Sequence, residues 1–108
     1  MQVLDLSLTY HWYDMIASGE KKEEYRNVKK QFYISRFLKD SDNSLISEFR
    51  HYDVVRFHRG QGSPVTMLVE CNGIHIGYGK PEWGAEPNEI YFVIELGEII
   101  ENNYASKN

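Results

Sequence analysis

The chain has 108 residues, of which 42% are hydrophobic, 26% charged and 14% aromatic, values that exclude a disordered chain and set the size at one domain with a single core. A net charge of −4 argues against nucleic-acid binding by bulk electrostatics. Seven of the twelve basic residues nevertheless fall between positions 21 and 39, while Glu82, Glu86, Glu89, Glu95, Glu98 and Glu101 make the C-terminal part acidic, so one basic face can still meet RNA.

No apolar run reaches the roughly eighteen residues that span a bilayer, and no basic-then-apolar leader opens the sequence. The one cysteine, Cys71, has no internal partner, so the expected setting is the reducing cytoplasm, away from membranes. His11, His51, His58, His75 and Cys71 are scattered without the close spacing of zinc ligands; no metal and no cofactor are expected.

In Val3–Leu8, Leu4, Leu6 and Leu8 alternate with Asp5 and Ser7, the period of a half-buried strand. Thr9 is placed to cap a helix whose apolar face carries Trp12, Tyr13 and Ile16, and Gly19 to end it in a left-handed conformation. A charged strand follows, in which Glu24 and Arg26 share one face and Glu23 and Tyr25 the other. Residues 29–39 read as a second helix with a core stripe of Tyr33, Ile34, Phe37 and Leu38, and residues 40–44 as a polar loop. A turn of helix is expected within 45–52.

The β-rich second half starts with 53–57, where adjacent Val54 and Val55 suit a strand buried on both faces or a bulged one. A glycine-bearing turn beside His58 and Arg59 follows, open to reading as a plain hairpin loop or an anion-binding one. Residues 65–71 form the next strand, and Asn72-Gly73 is a hairpin signal. Residues 77–88 form a Gly/Pro-rich loop around Trp83, then 89–100 a closing strand, with 102–108 expected as a frayed tail beyond a domain of residues 1–101.

The spacing Gly19-x-Lys21-x-x-Glu24-x-Arg26, between an opening strand and helix and the strand at Asp53, resembles the signature of the ASCH family, small β-barrels related to the RNA-binding PUA domains. The resemblance implies an α+β fold, a PUA-like mixed β-barrel with two or three flanking helices, in which one long strand bends near Asn72-Gly73. It also implies that the motif lines a cleft holding RNA or a nucleotide or modified nucleoside. Lys21, Glu24 and Arg26 would contact that ligand, with His58, Arg59, Trp83 and Tyr91 as neighbours and Trp83 or a tyrosine stacking on a base.

One branch of the family deacylates N4-acetylcytidine using a Lys, a Thr and a distal Glu. Lys21 matches the Lys, Glu24 stands where that branch has Thr, and Glu82 or Glu86 is the candidate distal acid. A small amidohydrolase is therefore an alternative to a binding module. A further alternative is a protein-interaction domain in which Lys21, Glu24 and Arg26 form a structural ion cluster.

Overall fold

The computed structural model describes residues 1–39 and 48–103. Its elements are β1 (Val3–Leu8), α1 (Tyr10–Ala17), β2 (Glu23–Asn27), α2 (Gln31–Phe37), β3 (Val54–Arg59), β4 (Thr66–Tyr78), a 3₁₀ turn (Pro81–Trp83) and β5 (Ile90–Asn102). The five strands form one sheet in the order β1-β3-β4-β5-β2, curled into a half-barrel within a small α+β domain. β1 runs parallel to β3; the other pairings are antiparallel. β1 and β2 are thus the two free margins of the curl. Among the described residues no helix is long and apolar enough to cross a membrane.

The alternation in β1 does what it implies: Leu4, Leu6 and Leu8 are buried while Asp5 and Ser7 face out. Their register partners Val55 and Phe57 continue the inner face, joined by Met67 and Val69 from β4 and by Phe92 and Ile94 from β5. α1 adds Tyr13 and Ile16 to this core, and α2 adds Phe37, whose ring meets Phe92 edge-on at 5.1 Å. Val54 and Val55 are both buried, as a strand covered on both faces requires.

Several local expectations are corrected. Asn72-Gly73 does not close a hairpin: β4 runs through it, and its register against β5 shifts between Leu68 and Gly73, so the strand bends by bulging. Gly73, at φ +130°, takes up the irregularity, and the long bent strand is the one the family resemblance implies. Thr9 occupies the cap position of α1 but makes no side-chain cap bond. α2 is shorter than 29–39, because Lys30 and Leu38 are both extended; Leu38 bridges to Phe49 instead of continuing the helix.

Residues 48–52 contain no helix; positions 40–47, where the polar loop and the start of that turn were expected, lie outside the described residues. β5 continues to Asn102, and the Asn103 N–H donates to the Thr66 carbonyl at 3.0 Å, so pairing extends past residue 101. Residues 104–108 lie outside the described residues.

Candidate functional site

The motif begins where α1 stops. Gly19, at φ +85°, turns the chain out of the helix, and the Lys21 N–H returns to the Met15 carbonyl at 3.0 Å. β2 then pairs with β5 so that Glu24 lies opposite Ile94 and Arg26 opposite Phe92, which puts both charged side chains on the core face. Glu23 and Tyr25 face outward. Lys21 is only 3% exposed and Glu24 5%, so burial has to be offset by partners.

The partners are present. Glu24 lies between two cations: its Oε1 is 3.1 Å from Lys21 Nζ, and its Oε2 is 2.6 Å from Arg26 Nη2 and accepts from Arg26 Nε at 2.9 Å. Lys21 Nζ also donates to the Trp83 carbonyl and sits 4.6 Å from the Trp12 ring centroid. Arg26 Nη1 donates to the Tyr33 hydroxyl at 3.0 Å, and Nη2 donates to the Ser7 carbonyl at 2.9 Å. Burial holds the Lys21 ammonium below the usual lysine range, against the pull of Glu24, and Arg26 adds to the lowering. Burial also works against the Arg26 charge, but Glu24 and Tyr33 outweigh it and Arg26 lies above its usual value.

The contact with Ser7 joins the two margins of the sheet. β1 and β2 do not pair with each other, so Arg26 reaches across the open seam to a backbone carbonyl of β1. Along this seam runs a cleft of about 420 Å³, bordered by Ser7, Trp12, Glu24, Arg26, Lys30 and Tyr33 among others. It combines three aromatic residues, Trp12, Tyr25 and Tyr33, with a carboxylate and two cationic side chains in a volume that fits a small organic ligand. A larger hollow of about 800 Å³ lies between the end of α1 and the bent β4–β5 region; it has no aromatic wall and carries Glu70 and Glu98.

The structure thus gathers Lys21, Glu24 and Arg26 but separates them from the other candidates. Lys21 borders the larger hollow, not the seam cleft. His58 binds Asp5 at 2.8 Å and the Ser63 carbonyl at 3.1 Å, and Arg59 makes a two-pronged pair with Asp14. Neither residue borders the cleft. Tyr91 lies on the outward face of β5, its ring 5.7 Å from Tyr25 and its hydroxyl accepting from the Glu86 N–H. Glu82 and Glu86 are exposed, and no contact joins either side chain to Lys21.

Trp83 contributes its carbonyl to Lys21 while its ring lies 4.4 Å from Lys80 Nζ, so it is not an aromatic wall of the cleft. The turn that carries it sits close over β2: a Cβ on Gly79 would come within 2.8 Å of the Tyr25 ring, and one on Gly84 within 3.0 Å of Trp12. Only glycines let the turn approach this far.

Trp12, Tyr33 and Lys30 are among the cleft residues that sequence reasoning did not assign to a site. Trp12 and Tyr33 read as core positions on apolar helix faces, and both are half-buried, with one part packed inward and one part lining the cleft. Their proximity to the charged motif was the available signal: a Trp seven residues before Gly19 and a Tyr seven after Arg26. No family model, no curated protein and no solved structure matches this chain.

Proposed function

We propose that the chain is a PUA-like, ASCH-type module that binds a nucleoside or nucleotide, free or as a unit of RNA, in the seam between β1 and β2. The observation that carries this reading is the cleft of about 420 Å³ in which Trp12 and Tyr33 flank Arg26, Glu24 and Lys30. Aromatic rings beside hydrogen-bonding groups are the usual means of holding an unpaired base, and stacking contributes about 1–3 kcal/mol per base. Tyr33 accepts from Arg26 and keeps its own hydroxyl proton to donate, and Lys30 offers an exposed ammonium to a phosphate. Lys21 supports Glu24 from behind and does not meet the ligand.

The test is titration of the protein with cytidine, N4-acetylcytidine, cytidine monophosphate and a short single-stranded RNA, read by NMR shifts and by tryptophan fluorescence. Shifts at Ser7, Trp12, Arg26 and Tyr33 are expected, weakened by Trp12→Phe but not by Trp83→Phe. Nucleoside binding survives added salt; binding through phosphates weakens with it. Release of acetate from N4-acetylcytidine would replace the binding module with a hydrolase. If no ligand moves these signals while Arg26→Ala still lowers Tm, the cluster is structural and the proposal fails.

A further inference from the structure

β4 is 13 residues long, but β3 covers only its first part, from Thr66 to Glu70. The Cys71 N–H makes one more bond, to the Asp53 carbonyl, and beyond it β5 is the one strand that pairs with β4 among the described residues. Among the described residues, no strand pairs with the opposite edge at residues 74–78. Exposed edges are normally blunted by lysine, proline, inward-pointing charge or a bulge. The sequence here is Ile74-His75-Ile76-Gly77-Tyr78, with none of these, and the register shifts of β4 lie upstream of it.

We propose that this edge pairs antiparallel with the same edge of a second copy of the chain, making one sheet continuous across a two-fold axis at Ile76. The segment is self-complementary in that arrangement. Ile74, Ile76 and Tyr78 share one face, so a two-fold at Ile76 sets Ile76 against its counterpart and each Ile74 against the other copy's Tyr78. Aromatic and β-branched side chains are favourable cross-strand partners. On the other face, His75 meets Gly77, so no like charges are opposed.

The side chains are available. Ile76 is 49% exposed, Tyr78 71% and, beside it on β5, Ile90 48%. Together they offer on the order of 350 Å² of side-chain surface per copy, about 700 Å² for the pair, which is below the roughly 1,200 Å² of standard specific interfaces and in the range of weak, transient ones. That size corresponds to a concentration-dependent dimer, not an obligate one.

Sedimentation of the full chain from roughly 1 to 500 µM, a span that brackets micromolar association, is expected to show the mean mass rising from one chain toward two. Ile76→Lys moves the midpoint at least tenfold higher while the Tm of dilute protein stays the same, because the site is exposed in the single chain. In a Cys71→Ser background, Ile76→Cys is joined efficiently between copies by a short bifunctional thiol reagent and His75→Cys is not, since only position 76 faces itself. A mass of one chain at every concentration overturns the proposal and leaves the edge to an extended strand of another protein. A dimer unchanged by Ile76→Lys, or equal cross-linking at both positions, overturns it as well.

Discussion

The β4–β5 ribbon and the β1/β2 seam belong to one curled sheet and hold together differently. In the ribbon, pairing runs from Met67 and Asn102 to Tyr78 and Ile90, so backbone hydrogen bonds share the load and the buried Val69, Ile94 and Leu96 add packing. At the seam no ladder joins the margins, and one guanidinium reaches from β2 to the Ser7 carbonyl. That guanidinium is fixed by Glu24, and Glu24 also faces Lys21. A ladder loses little when one side chain changes. A seam closed by a charged cluster concentrates its dependence on a few atoms, and there a ligand can find unpaired surface.

The sharpest test of that difference is Glu24→Gln, which removes the anion between two buried cations. Leaving buried charge unpaired costs about 3–5 kcal/mol, and in a domain of this size Tm should fall by on the order of 15 °C in calorimetry. A loss under ~1 kcal/mol would show that water reaches the cluster and that the seam is not sealed.

Next in size, Arg26→Lys keeps the charge but cannot serve Glu24, Tyr33 and Ser7 together. It should cost about 1–3 kcal/mol, with faster hydrogen exchange confined to the amides of β1 and β2. Val69→Ala in the ribbon is the control, since it lowers protection throughout the sheet. If the two variants give the same exchange pattern, the distinction between seam and ribbon is void.

Alkaline pH sharpens the comparison at the far side of α1. Burial pushes the Tyr13 phenol up from 10.0 to about 12, with its hydroxyl donating to Asn102 Oδ1 at 3.2 Å. The folded chain keeps a proton that the unfolded chain releases above pH 10, so the stability this gives is present below pH 10 and is lost as pH rises to about 12. Lys21 has the opposite sign: its folded value lies below 10.5, so its contribution improves as pH climbs toward 10.5. Burial also pushes up the Tyr25 phenol, so urea titrations across this range should show a steep alkaline loss in the parent that Tyr13→Phe reduces without abolishing.

The smallest effect is expected for Lys21→Met. It removes a cation that burial already disfavours, keeps the volume beside Trp12, and leaves Glu24 paired with Arg26. The Trp83 carbonyl loses its donor, so stability should fall by about 1–2 kcal/mol in urea unfolding, and nucleoside binding should persist. Loss of binding in a folded Lys21→Met protein would place Lys21 in contact with the ligand.

Much of this architecture was legible beforehand, because it follows from short-range pattern. The alternation in β1, the stop at Gly19 and the two-residue spacing of Glu24 and Arg26 are local properties of the chain. Asn72-Gly73 was misleading because its glycine serves a bulge within β4 in place of a turn. The seam was hidden for a different reason: its key acceptor is the carbonyl of Ser7, and a backbone atom has no signature in sequence. His58 and Arg59 looked like site residues beside a glycine turn. Their partners, Asp5 and Asp14, come from elements that only the fold brings alongside, and those pairs hold them to β1 and α1.

The parallel pairing of β1 with β3 also bears on the order in which the chain assembles. Neighbours such as Asp5 and Arg56 are 51 positions apart, whereas β3 and β4 are linked by a short turn. Closing the longer loop costs more chain entropy, so β3, β4 and β5 can collapse into a nucleus before β1 arrives. β2, paired with β5 across 64 to 72 positions, closes a longer loop still, so both margins of the seam are expected to join after that nucleus and the gap between them to be the last to narrow. The proposed ligand would therefore act on the final step of folding, holding shut the part of the protein that reopens first.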